Sequence, residues 1–92
     1  MNVVGLPIGY TLTDQEQREY SVYQLIAMVI EGCKYKWKTD GNAVYHKLKD
    51  SGIINYLTNG YDYLHTQSLD YIIIDVEEMV KAYESLGGKN AV

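Results

Sequence analysis

The sequence predicts an all-α fold, a small single-domain bundle of about four helices in which two long ones flank two short ones, with an extended apolar N-terminal arm. Three observations carry that reading. Two long segments repeat apolar residues every three or four positions, the period of one helix face. Each is opened by a residue that caps helix starts, Thr13 and Ser68. Between and after them, Asp40-Gly41, Ser51-Gly52, Asn59-Gly60 and Gly87-Gly88 stand where helices should break.

The first 12 residues read as an arm. Val3, Val4, Leu6, Ile8 and Tyr10 are interrupted by Gly5, Pro7 and Gly9, so a strand-like alternation is broken before it becomes an element. The segment has no positively charged stretch and its glycines and proline break a helix, so no secretion signal is expected. Thr13-Asp14-Gln15-Glu16 has the form of a capping box. The helix it opens buries a stripe of Val22, Ile26, Val29, Ile30, Cys33 and Trp37, widened by Tyr23, Leu25 and Met28. Gly32 inside that stripe marks either a close helix contact or an early end, since glycine costs about 1 kcal/mol relative to alanine in a helix.

Asp40 should cap a short helix carrying Val44, Tyr45 and Leu48, ended at Ser51-Gly52. Ile53, Ile54, Tyr56 and Leu57 form another short helix, stopped at Asn59-Gly60 with the glycine expected in the left-handed position. A loop then leads to the last helix. Tyr71-Ile72-Ile73-Ile74 is β-branched and locally strand-like, yet Ile72, Val76, Met79, Val80 and Tyr83 continue at helical spacing, and the longer pattern decides for a helix from about residue 68 to 86. The domain therefore spans 13–88, with a frayed tail at 89–92.

Ninety-two residues, 47% of them apolar, support one domain with one core and leave no room for a second. The lone cysteine, Cys33, lies at helical spacing from Ile30 and Trp37 and reads as a small buried hydrophobe, which suits a reducing, cytoplasmic setting. No apolar run approaches the roughly 20 residues that cross a bilayer, so no membrane partner is expected. A net charge of −4 counts against nucleic acid as a partner. One basic cluster with interleaved aromatics, Lys34, Tyr35, Lys36, Trp37 and Lys38, is where such a partner would bind; its simpler role is to complement the negative end of the first helix.

Ten tyrosines and no phenylalanine imply many half-buried positions, because each phenol ring carries a hydroxyl that needs a partner. The candidate site is Tyr61, Tyr63, His65, Thr66, Tyr71 and Asp75, with Gln67 beside them, gathered around the loop before the last helix. A histidine near a carboxylate suits general acid–base chemistry, with His65 as acid or base and Asp75 orienting it. No nucleophile pattern, phosphate loop, HxxxH or CxxC accompanies them, so no catalytic residue, metal or cofactor is assigned. The structural alternative has His65 and Thr66 satisfying backbone groups at the loop-to-helix junction and Asp75 holding a tyrosine hydroxyl, His65 or a loop amide. His46 reads as solvent-facing. Asp14, Glu16 and Glu19, and Asp75, Glu77 and Glu78, read as solvated faces.

Three stretches carry a family resemblance: Gly52-Ile53-Ile54-Asn55-Tyr56-Leu57, Tyr61-Asp62-Tyr63-Leu64-His65-Thr66-Gln67 and Tyr71-Ile72-Ile73-Ile74-Asp75-Val76. They resemble a bacterial family known only as a domain of unknown function, number thirty-seven ninety-one. The resemblance runs over roughly residues 20–81 and is more specific in its second half than in the first helix. Two features depart from the family pattern: the apolar arm is an addition, and Ser68-Leu69 stands where a glycine or acidic residue follows the His-Thr block. The resemblance implies no activity. It implies a small accessory protein, encoded among other short genes that include ADP-ribosyltransferase-like proteins, with a partner or antitoxin-like role.

Taken with the residues, this predicts a non-enzymatic protein-binding or regulatory module that uses the tyrosine-rich surface, with another protein as partner and a homodimer as companion state. The alternatives are a helical nucleic-acid binder using Lys34 to Lys38, and an enzyme using His65 and Asp75.

Overall fold

A computed structural model of the chain describes residues 11–87. The arm expected at 1–12 lies, apart from Thr11 and Leu12, outside the described residues, as does the tail at 89–92. Among the described residues the chain is all-α, with helices α1 (Asp14–Trp37), α2 (Gly41–Asp50), α3 (Ile53–Asn59), α4 (Tyr61–Leu64) and α5 (Leu69–Ser85). Two long helices flank the short ones, and α4 is one turn where the sequence predicted a loop. In that turn the Gly60 carbonyl accepts from the Tyr63 and Leu64 amides, and the amides of His65 and Thr66 then donate to the Tyr61 and Tyr63 carbonyls.

The helix starts are local. Thr13 Oγ1 accepts from the Glu16 amide at 3.1 Å and Glu16 Oε1 accepts from the Thr13 amide at 2.9 Å, the reciprocal capping box. Asp40 Oδ1 accepts from the Ala43 amide, and Ser68 Oγ from the Tyr71 amide, so the expected caps of α2 and α5 are in place. The ends are less uniform. Gly52 (φ 81°) and Gly87 (φ 97°) take left-handed conformations, but α1 ends on a left-handed lysine, Lys38 (φ 55°). Gly60 corrects the expectation for it: its φ is −93°, not left-handed. Space is what it supplies. A Cβ there would stand 2.9 Å from the Tyr56 carbonyl oxygen and 3.1 Å from Leu64 Cδ1, so the α3–α4 corner closes only without a side chain.

Tyr71 to Ile74 lie within α5, as the longer pattern predicts. Ile72 and Ile73 point inward with Val76 and Val80, while Ile74 is half exposed. The short-range β propensity loses because three turns of apolar spacing bury more side chain as a helix than four residues bury as a strand. The buried centre is entirely aliphatic apart from Cys33: Leu25 and Val29 of α1, Val44 and Leu48 of α2, Ile53 and Leu57 of α3, Leu64 of α4, and the inward face of α5. None of the described tyrosines is buried. A phenol hydroxyl sealed among aliphatic groups without a partner costs a few kcal/mol, so the rings line the margin and the small aliphatics fill the middle.

Gly32 is the close contact between α1 and α5. A Cβ at this position would come 2.2 Å from Ile73 Cδ1, so the isoleucine tip occupies the space that glycine leaves. Cys33, next to it, is fully buried, and burial pushes its thiol up to about 11, with the Glu77 carboxylate adding to the rise. It stays protonated at neutral pH. Among the described residues no helix is long and apolar enough to cross a membrane.

Candidate tyrosine and carboxylate face

Five of the six sequence-predicted site residues divide into two groups, Tyr61 with His65 and Tyr63 with Tyr71 and Asp75, and Thr66 closes the turn between them. On the α1 side, Tyr61 stacks on His65, with ring centroids 4.8 Å apart and planes 21° from parallel. One helical turn separates them, which places the rings one above the other. The Arg18 guanidinium lies 5.5 Å from the Tyr61 centroid, and its Nη1 donates to Asp62 Oδ1 at 2.6 Å. Arg18 thus ties α4 to α1 through both Tyr61 and Asp62. Tyr61 is packed against the aliphatic centre rather than free for a partner. Tyr61 and His65 also border a hollow of about 160 Å³ with Gln24, Met28 and Leu69 among its other walls.

Thr66 does what the structural alternative expects. Its hydroxyl donates to the Tyr63 carbonyl at 2.6 Å and accepts from Gln67 Nε2 at 3.1 Å, closing the turn into α5. His65 does not: its backbone amide continues α4, but its ring meets Tyr61 and makes no side-chain hydrogen bond among the described residues. No hydrogen bond or ion pair joins His65 to Asp75. The acid–base pair read from the sequence is therefore not assembled, since Asp75 sits at the α3 side of α5 and is engaged by another group.

That group is Tyr56, which sequence reasoning placed in a helix but not in the site. Its hydroxyl donates to Asp75 Oδ2 at 2.7 Å, linking α3 to α5. The bond holds the Tyr56 proton, and with burial and the Asp75 charge it pushes the phenol up to about 12. The helical position of Tyr56, three residues after Ile53 and one before Leu57, was the available signal: it places the ring at the edge of the buried face. Tyr71, one turn before Asp75 on α5, completes the face with Tyr63. The Tyr71 hydroxyl is held above the ordinary phenol value, first by the neighbouring Tyr63 hydroxyl, then by partial burial and the Asp75 charge. Tyr63, Tyr71 and the adjoining Ile74 are 58%, 48% and 51% exposed. This second group is a carboxylate set among phenols, open to solvent.

Two of the acidic residues read as a solvated face are instead engaged. Asp75 holds Tyr56, and Glu77 accepts from the Trp37 indole at 2.9 Å and pairs with Lys36 at 2.9 Å. Those contacts, Lys36 first and Trp37 second, hold the Glu77 carboxyl below its usual range. Lys47 reaches Glu84 at 2.6 Å across the same side of the bundle. Between them Trp37, Val44 and Val80 line a hollow of about 410 Å³, with Lys81 at its rim. In the basic cluster, Lys34 and Lys36 pair with Glu31 and Glu77, and Tyr35 is 87% exposed. His46 is exposed, edge-on to Tyr45. Among the described residues no three His, Cys, Asp or Glu side chains gather as a metal site.

Residues 24–83, about two thirds of the chain, match the family described as Protein of unknown function (DUF3791). The chain belongs to this family. The matched span runs from the third turn of α1 through nearly all of α5, so it takes in both groups of site residues. Neither the curated proteins nor the solved structures contain a match to the chain.

Proposed function

We propose that this DUF3791 member is a non-catalytic protein-binding module that regulates another protein, and that it binds through the face formed by Tyr63, Tyr71, Ile74 and Asp75. The observation that supports it is the exposure of two phenol rings and an isoleucine beside Asp75, whose carboxylate is held by the Tyr56 hydroxyl. Adjacent exposed aromatics of this kind are the usual anchors of protein interfaces. An antitoxin-like control of a neighbouring bacterial enzyme is the form of this role that the family resemblance favours. A cytoplasmic location goes with it, supported by the free, buried Cys33.

The nucleic-acid alternative rests on Tyr35, the exposed ring among the lysines. Ion pairs to Glu31 and Glu77 already occupy two of the three lysines, which weakens it.

The test is a tagged pull-down from the source cell with wild type and a Tyr63→Ala, Tyr71→Ala variant whose circular dichroism and melting match wild type. Tyr61 is left intact because its ring supports the fold. One protein recovered in stoichiometric amount with wild type, and at least about tenfold less with the variant, is the expected result. Equal recovery by both would remove this face from the interaction.

A further inference from the structure

We infer that the partner contributes an arginine side chain to this face, seated on Asp75 between the Tyr63 and Tyr71 rings; the inference rests on the protein-binding reading above. Asp75 uses one oxygen, Oδ2, to hold the Tyr56 hydroxyl. Its Oδ1 accepts no hydrogen bond among the described residues, and no buried side-chain oxygen there lacks a partner, so Oδ1 reaches solvent. The carboxylate thus offers an oriented, solvated acceptor whose other half is fixed by the fold. Tyr71 lies one turn away on the same helix, so its ring and the carboxylate stand side by side. Tyr63 comes to it from α4, and both rings are about half exposed. Phenol faces attract cations, and their hydroxyl oxygens accept hydrogen bonds.

Charge selects the sign of the occupant. No described cation pairs with Asp75; the nearest aromatic and carboxylate groups all favour a positive guest, and the chain carries a net charge of −4. Shape selects arginine over lysine. A guanidinium is flat enough to stack on an exposed phenol and presents five donors to acceptors spread over Asp75, Tyr63 and Tyr71, whereas an ammonium is a compact, strongly hydrated point charge. An arginine can bind without moving Tyr56, because the Tyr56 hydroxyl occupies Oδ2 and leaves Oδ1 open.

The experiment is a ¹⁵N-labelled titration of the full chain with three blocked tripeptides, Gly-Arg-Gly, Gly-Lys-Gly and Gly-Glu-Gly, on wild type and Asp75→Asn. Asparagine keeps an oxygen for the Tyr56 hydroxyl, so the variant retains the α3–α5 link while losing the charge. The expected result is that the arginine peptide shifts amides of Tyr63 and of residues 71–75, and that its affinity falls about tenfold or more in the variant. Lysine peptide binding as tightly as arginine, or equal binding to both proteins, would overturn the inference. Repeating the pull-down with Asp75→Asn separates the two claims. A partner kept by this variant but lost with Tyr63→Ala, Tyr71→Ala leaves the interface standing and removes the arginine; a partner kept by both variants removes the interface itself.

Discussion

Tyr56 and Asp75 show how one hydrogen bond positions a surface. The bond is 2.7 Å long, partly buried, and joins residues 19 apart in sequence. It fixes the carboxylate rotamer that the exposed tyrosines surround. Its energetic signature is in alkali. A phenol raised to about 12 in the folded chain, against about 10 unfolded, stabilises the fold fully below pH ~10 and loses that contribution as pH rises through ~12. Tyr56→Phe should cost about 1 kcal/mol in urea unfolding at neutral pH, with the gap from wild type closing in that alkaline window. A gap that stays constant up to pH ~12 would show that the Tyr56 proton is not held by the fold. The sequence offered a tyrosine hydroxyl, His65 or a loop amide as the partner of Asp75 and did not choose among them, nor among the tyrosines. Spacing locates a residue on its own helix face and is silent about the helix across from it.

At the scale of the element, α1 and α5 meet where Gly32 gives way to Ile73. Glycine within a 24-residue helix costs about 1 kcal/mol relative to alanine, and the close approach is what that cost accompanies. Gly32→Ala should therefore destabilise by about 1 kcal/mol, because overpacking against the buried Ile73 exceeds the helix gain. With Ile73→Val, which removes Cδ1, the same Gly32→Ala change should become neutral or stabilising. Thermal or urea unfolding of the four proteins in this cycle decides it; additive effects would mean the two side chains do not meet. The helix starts at Thr13, Asp40 and Ser68 were legible because caps bond within three residues. The turn at Tyr61–Leu64 was not. Four residues carry too little periodicity to separate a helical turn from a loop, and what holds this one is the packing of Leu64 and Tyr61 on the centre.

For the molecule as a whole, polar links at the margin set the side-to-side order of an aliphatic bundle. Trp37 and Lys36 converge on Glu77, joining the end of α1 to α5, while Lys47 joins α2 to α5 through Glu84. Surface ion pairs contribute little each, about 0–1 kcal/mol, so the Trp37 bond and the burial beneath it matter more than the charges. Because Glu77 is held below the usual carboxylate range, its contribution is present at neutral pH and is lost as pH falls through that lowered value. Glu77→Gln should lower stability by about 1 kcal/mol or less at neutral pH and by progressively less in acid. Chemical unfolding at a series of pH values below 5, about where free carboxylates begin to titrate, reads this directly. A variant deficit that grows in acid would contradict it.

Composition, period and caps were enough to establish an all-α domain, the starts of its long helices, the burial of Cys33, the inward turn of Ile72, Val76 and Val80, and, through three short stretches, the family. Each of those is encoded within a few turns of chain, where the helix period relates residues directly. Contacts between helices decided the rest. Asp75 chose Tyr56 rather than His65, His65 turned to Tyr61, Glu77 left the solvated face for Trp37, and Gly60 served space rather than a left-handed turn. These choices depend on the angle and distance at which separate helices pack, which the volumes of Gly32, Ile73 and Leu64 set jointly and no single segment carries.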